Sequence, residues 1–398
     1  MVFELSPTSN GGWTYKVLYV FKSYQDGAYP AGPMIFDSMG NLYGMTSVSC
    51  GTVFQLTPAG GEWTKTTIYD FGMGSDGCEP QGGLVFDASG NLYGATRSGG
   101  TDGFGTVFEL KPSVGGDWTE SVIHSFAGAG SDGAYPLAGL AADAAGNFYG
   151  TTVWGGTGNV GSVYELSPSS DGTWTESVLY SFSANVAIPK SKLWVDASGN
   201  LFGTASDDGE NGPGAAFELT KNSQGAWQQT VLHIFGGKRD GERPFSDLFQ
   251  DANGSLYGTT YIGGQGGAGT VYKLTPNSGG GWSFETLNSF SGKDGNAPYD
   301  GVVYVGANFG TLYALDATSG AQLWSAHLIH YGNSPAVANG VVYVTSNQEL
   351  YALNARTGAK LWVYKNNPVS DFLVYPAVSN GMLYVGDSSY YQLAFGLK

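Results

Sequence analysis

The sequence predicts an all-β fold, a single closed β-propeller, on three observations. The motif Asn-Leu-Tyr-Gly-x-Thr and its variants begin at Asn41, Asn91, Asn147, Asn200 and Ser255, at steps of 50, 56, 53 and 55 residues. Each repeat carries four short β-type runs separated by turn residues, and a unit of that size cannot bury both faces of its own sheet, so copies have to stack side by side. The composition agrees: of 398 residues, 64 are Gly, 25 Tyr, 21 Phe and 10 Trp, and only 13% are charged, as short aromatic strands and tight turns require. A ring of such sheets removes the open edges that a linear stack would leave.

The third repeat displays the elements in order. Residues 136–143 (PLAGLAAD) form the first run, 147–152 (NFYGTT) the second, 161–168 (GSVYELSP) the third and 174–182 (WTESVLYSF) the fourth. All alternate or run apolar over strand-like lengths. Asp-Ala-Ala-Gly between the first two is a hairpin turn, and Asp132-Gly133 opens the loop into this repeat. The third run recurs at Val2, Val53, Val107, Ala216 and Val271, and the fourth behind Trp13, Trp63, Trp118, Trp227 and Trp282. Six copies of the last two runs against five of the first two mean that the chain starts inside a blade, so its partner strands are expected from the C-terminus.

After Pro298 the pattern shortens. Tyr304, Tyr343 and Tyr384 mark three aromatic strands 39 and 41 residues apart, accompanied by Leu312-Tyr-Ala-Leu-Asp316, Leu350-Tyr-Ala-Leu-Asn354, Leu323-Trp324 and Leu361-Trp362. The run SPAVANGVVYV…LYALNARTGAKLW resembles the PQQ-like propeller repeats of quinoprotein dehydrogenases and of the outer-membrane assembly lipoprotein. Residues 1–297, through GNLYGTT, GTVFEL and the Trp-led strand, resemble the tandem GloVer repeats of bacterial exported proteins. The two resemblances imply one propeller built from two repeat types, 1–297 and 298–398, and counting the repeats gives eight four-stranded blades, the eighth shared between the chain ends. Seven is the alternative, because almost no room exists between Pro298 and Gly301 for the innermost strand of the sixth blade. The resemblances also imply a bacterial protein located outside the cell or in the periplasm.

Thirty-three acidic against 17 basic residues give a formal charge of −16, which disfavours phosphate backbones and anionic lipid as partners. No run is long and apolar enough to span a bilayer, and no charged-then-apolar leader is present in the given residues. Cys50 and Cys78 lack zinc spacing and fall in loops expected on the same face, so a single bridge is open. The remaining partner classes are a neutral glycan, a peptide or a small molecule, bound by a monomer.

A feature present in every blade is explained by folding, so chemistry is sought where one repeat departs from the others. Asp37, Asp87, Asp143, Asp196 and Asp251 precede equivalent hairpins and read as turn formers. Loop Ser206–Asn211 is acidic where other blades are Gly-rich. Its Asp207, Asp208 and Glu210 read as a solvated loop, as Ca²⁺ ligands or as acid/base groups. Loop Lys238–Arg243 is charge-dense, and Arg239 and Arg243 there pair at the surface or clamp a carboxylate. His124 and His233 stand where Tyr19, Tyr69 and Tyr180 stand in other copies, which predicts surface strand residues and not ligands. His327 and His330 lie three apart in one loop and are candidate bases or metal ligands. Trp154 and Tyr261 are candidate stacking platforms for sugar.

The leading expectation is a binding module with its recognition surface at the channel mouth. The competing one is a hydrolase or lyase acting on a glycan or ester through Asp207, Asp208, Glu210, Arg239, His327 and His330. Among cofactors, Ca²⁺ fits the acidic balance. PQQ is disfavoured because the vicinal cysteines often found under the quinone are missing and only the repeat skeleton matches.

Overall fold

The computed structural model describes residues 2–7, 13–19, 21, 27, 30–60, 62–72, 74–128, 130, 132–183, 186–207, 212–236, 239–251 and 253–290, and, beyond these, 304–307, 311–315, 322–327, 336–338, 341–346, 349–354, 359–365, 377–379, 382–386 and 392–396. Every regular element in them is a β-strand. Blade 1 runs Pro30–Phe36, Leu42–Thr46, Thr52–Ala59 and Glu62–Asp70, each strand antiparallel to the one before it. Blade 2 repeats this with Cys78–Phe86, Leu92–Ser98, Thr106–Pro112 and Trp118–Ser125. Blades 3, 4 and 5 end in the Trp-led strands Trp174–Ser181, Trp227–Ile234 and Trp282–Ser289. In blade 4 the innermost strand is split into Ala187–Pro189 and Trp194–Val195, both paired with Leu201–Asp207.

The C-terminal third contributes a three-stranded sheet (Tyr304–Ala307, Thr311–Leu315, Gln322–His327), a four-stranded one from Ala336–Ala338 to Lys360–Lys365, and a three-stranded one from Ala377–Ser379 to Gln392–Gly396. Six sheets therefore reach at least four strands among the described residues, where the sequence predicts eight. The chain ends meet. Val2–Pro7 lies alongside Met382–Gly386 and Gln392–Gly396, and Ala377–Ser379 lies alongside the innermost strand of blade 1. In hydrogen-bonding terms Val2–Pro7 and Trp13–Tyr19 form a two-stranded sheet of their own.

The repeated motif is a set of packing instructions. Its Tyr reaches across to the next blade: Tyr43 lies 5.9 Å from Trp118, and Tyr93 lies 5.6 Å from Trp174, both edge-on. A Phe ending each Trp-led run does the same at the third strand, with Phe71 5.1 Å from Phe108 and Phe126 5.1 Å from Tyr164. Buried aromatic pairs of this geometry add to the area they remove from water. The Gly of the motif makes room for that ring, since a Cβ on Gly94 would stand 2.6 Å from Phe108 Cζ.

The repeated Asp is a turn former, as its hydrogen bonds demonstrate. Asp37 Oδ1 accepts from the amides of Met39 and Asn41, and Oδ2 from Asn41 Nδ2 and Tyr43 Oη. The Asn and Tyr of the motif are thus tied to the Asp before the turn, and the pattern recurs at Asp87 and Asp143.

A second node joins the motif Thr to the Thr or Ser that opens the third strand, as in Thr96–Thr106 and Thr152–Ser162, both at 2.8 Å and buried. The Gly of the Asp-Gly pair sits on it, because a Cβ on Gly77 would stand 2.3 Å from Thr96 Oγ1. Blade 4 rebuilds this node in apolar form. Ala205 and Ala215 replace the hydroxyl pair, and Val186, which bridges to Ser183 as Gly77 does to Gly74, fills the space in the same buried cluster. Removing both hydroxyls together avoids stranding one of them.

Cys50 and Cys78 are disulfide-bonded, which ties the second-to-third-strand loop of blade 1 to the first strand of blade 2. The bridge left open by the sequence is therefore present.

Candidate functional site

The innermost strands face one another around the axis. A Cβ on Gly83 would lie 2.8 Å from Pro33 Cγ, and one on Gly139 would lie 2.3 Å from the Gly82 carbonyl oxygen, so successive blades approach through small residues there. Counting back four from each turn Asp, the equivalent positions are Pro33, Gly83, Gly139, Lys192 and Asp247. Blades 4 and 5 alone among these five carry charge at this level.

Alternation along these strands sorts the side chains. Pro189, Ser191 and Leu193 are buried while Lys190, Lys192 and Trp194 are not; Pro244, Ser246 and Leu248 are buried while Phe245, Asp247 and Phe249 are not. The second set of each strand forms a wall turned toward the axis. Halfway along it, the Lys192 amide donates to Asp247 Oδ1 at 2.7 Å. Asp247 touches solvent yet is hemmed in by protein. Desolvation holds its carboxyl above the ordinary range, against the Lys192 amide and ammonium, which act to lower it.

At one end of the wall Lys190 Nζ stands 4.9 Å over the Phe245 ring, and Phe245 lies 5.5 Å from Tyr261. At the other end Trp194 and Phe249, 37% and 42% exposed, lie 6.5 Å apart, and Trp194 Nε1 donates to Gln250 Oε1 at 3.3 Å. The buried serines fix the wall from behind: Ser191 and Ser246 Oγ accept from the amides of Thr204 and Thr259, and Thr151 and Thr204 Oγ1 donate across the blade boundary to the carbonyls of Ser191 and Ser246. A separate polar cleft of about 280 Å³ lies between blades 3 and 4, lined by Tyr149, Glu165, Asn200 and Lys221.

Of the residues predicted from sequence, Arg243 and Tyr261 come together, the Tyr261 amide donating to the Arg243 carbonyl at 3.0 Å. Arg243 holds φ of 57°, but so do Glu79, Tyr135 and Ile188 within a degree, each before its Pro and each donating its amide to the preceding blade, so this backbone belongs to the fold. Trp154 is 45% exposed and pairs with Ala134 in blade 3. Arg239 is exposed, and its carbonyl accepts from Thr286 Oγ1. Asp207 and His327 end their strands, opposite Ala187 and Thr311, while Asp208, Glu210 and His330 lie outside the described residues. No described contact assembles these acid/base candidates. Lys192, Asp247, Trp194 and Phe249 escaped the sequence reading, although aligning the first strands on the turn Asp exposes them.

His124 and His233 correct the sequence expectation. They are half-buried between blades, because the seventh residue of each Trp-led strand meets the third residue of the next. That meeting differs at each boundary among the described residues of blades 1 to 5: Lys65 Nζ lies 5.9 Å over the Tyr19 ring, Tyr180 Oη donates to Gln229 Oε1 at 2.9 Å, and His233 stacks on Phe284 at 3.7 Å. Tyr69 donates to Asp76 Oδ2 at 3.0 Å beside Glu120. Burial and then the Asp76 charge push the Glu120 carboxyl up to about 7. His124 meets Glu176, with Asp132 beside both.

The model of the Gloeobacter/Verrucomicrobia repeat matches residues 1–195 and 115–327. The chain belongs to the Gloeobacter/Verrucomicrobia repeat family. A second model, described as outer membrane protein assembly factor BamB, matches residues 267–394 and so overlaps the Gloeobacter/Verrucomicrobia repeats at 267–327. No curated protein matches in sequence. Similar solved structures include the computationally designed Ika8 protein (TM-score 0.61, 11% identity, 96% of this chain and 99% of that one). Sqt1 of Saccharomyces cerevisiae (0.55, 14%, 95% and 95%) and BamB of Moraxella catarrhalis (0.51, 13%, 91% and 95%) are also similar. At these identities they show the fold alone, a β-propeller.

Proposed function

We propose that this Gloeobacter/Verrucomicrobia repeat protein is a propeller interaction module that binds a neutral glycan on the axial wall of blades 4 and 5. The observation carrying this reading is the departure of that wall from its repeat: Lys192, Asp247, Trp194 and Phe249 stand where blade 3 has only Gly139 and Ala141 and blade 2 has Gly83 and Val85. Exposed ring faces stack on the apolar faces of sugars, while an ammonium, a carboxylate and the Gln250 amide supply directional partners for hydroxyls. Peptides and small molecules are the competing occupants.

Eight blades are the count we propose. That count comprises five Gloeobacter/Verrucomicrobia repeats, two BamB-like repeats and one blade completed by both chain ends, with the change of repeat type at residue 297/298. The bond between Cys50 and Cys78 supports an oxidising compartment, the extracellular space or the periplasm. The name of the BamB model, an outer-membrane assembly factor, fits the same placement.

Isothermal titration against a panel of neutral oligosaccharides tests the binding reading. Saturable binding that falls at least tenfold in Trp194→Ala supports it. Absence of binding across the panel, or affinity indifferent to that substitution, sinks it. Product release in the same mixtures would favour the hydrolase or lyase alternative.

A further inference from the structure

The boundary between blades 2 and 3 holds a group that the axial wall does not use. His124 Nε2 lies 3.3 Å from Asp132 Oδ1, and one ligand atom each from His124, Asp132 and Glu176 fall within 4.8 Å of one another. The three come from three places: the last strand of blade 2, the loop entering blade 3 and the last strand of blade 3. Glu176 Oε1 is shielded from solvent and has no hydrogen-bond partner among the described residues. A buried carboxylate oxygen without a donor, beside an imidazole nitrogen and a second carboxylate, is a condition that a divalent cation relieves.

The other boundaries make the comparison. At equivalent positions Tyr69, Asp76 and Glu120 lack the imidazole, Tyr180 and Gln229 lack both imidazole and carboxylate, and His233 with Asp240 faces the Phe284 ring. Only between blades 2 and 3, among these, do all three groups have metal-binding chemistry. The site is also prepared for it. Asp132 is held by the amides of Ala127 at 2.7 Å and Gly133 at 2.6 Å, and the His124 ring packs edge-on against Phe126 at 4.6 Å. His124 and Asp132 keep 17% and 18% of their side-chain surface, so the group is in contact with solvent.

We propose that His124, Asp132 and Glu176 bind a zinc-type divalent cation that pins blade 2 to blade 3. One nitrogen and two carboxylate oxygens with an open position suit zinc, whereas a calcium ion prefers six or more oxygens. The ligand separation has to shorten slightly on binding, which the side chains of strand and loop allow.

The test uses the full chain freed of metal with EDTA and titrated with zinc chloride, with cobalt(II) as a spectroscopic probe. One equivalent is expected to bind, to raise the thermal midpoint and to give a visible cobalt band. The variants His124→Tyr and Glu176→Gln introduce residues that the chain itself uses at neighbouring boundaries, so both are expected to fold, and each should weaken binding at least tenfold. His233→Tyr should leave binding unchanged. No cobalt band and no heat in the parent, variants that bind like the parent, or binding lost instead in His327→Ala would overturn the proposal.

Discussion

The Lys192 amide and the Asp247 carboxylate, 2.7 Å apart, join the innermost strands of two neighbouring blades at a level where the other Gloeobacter/Verrucomicrobia-type blades have only Gly or Pro. This hydrogen bond ties together the two strands on which the exposed Trp194 and Phe249 rings stand. A tie of this kind lowers the ordering cost of binding.

The motif glycine carries a first prediction. Gly94→Ala places a methyl 2.6 Å from Cζ of the fully buried Phe108, whose ring already packs edge-on against Phe71 at 5.1 Å. Overpacking of this order costs about 2 kcal/mol. Urea unfolding should show a lower midpoint with an unchanged slope.

Two tyrosines predict the opposite sign. Tyr164 and Tyr272 bury hydroxyls that have no partner among the described residues, at a position where Phe54, Phe108 and Phe217 serve in the other blades. Tyr272→Phe removes a stranded polar group without opening a cavity and should stabilise by about 1 kcal/mol. Thermal denaturation of the single variant checks it, and a loss of stability would mean that the hydroxyl is satisfied.

Reduction of the disulfide should matter more. Cys50 and Cys78 are 28 residues apart, and a loop of that length restricts the unfolded chain by about 3–4 kcal/mol in the chain-entropy picture. Dithiothreitol, or the double change to alanine, should lower the midpoint, and blade 1 should then exchange its amides faster than blade 4.

Glu120 makes stability depend on pH. Its carboxyl, ordinarily near 4.5, is pushed up to about 7 by burial and then by the Asp76 charge, so the folded state favours the protonated form. Its contribution is fully present below about 4.5 and is lost as pH rises through 7. Relative to the parent, Glu120→Gln should gain on the order of 1 kcal/mol between pH 4.5 and 7.5, discounted for partial contact with water. Denaturation at both ends of that window measures the difference.

The blades were legible because one motif encodes several contacts at once. Asn41, Tyr43 and Gly44 each repeat for a reason visible in the strand pattern, and the role of Asp37 follows from its place before a turn. The wall at Lys192 and Asp247 was not legible in the same way. Loops rich in charge, such as Ser206–Asn211, stand out in the sequence, whereas these two residues sit inside strands and differ from their counterparts only when the first strands are aligned. The half-burial of His124 is hidden for a related reason: a strand at the blade's outer edge looks solvent-facing in sequence, and nothing in a single repeat reveals that Glu176 of the next blade covers it. Val186 shows the limit most clearly, since its presence makes sense only once Ala205 and Ala215 are known to be beneath it.

The most direct measurement is a neutral-glycan array probed with the parent and with Lys192→Gly/Asp247→Gly, which gives blades 4 and 5 the glycines of Gly83 and Gly139. The wall predicts that the parent's signals disappear in the variant while its melting midpoint stays close to the parent's. The same glycans bound at the same intensities would contradict it.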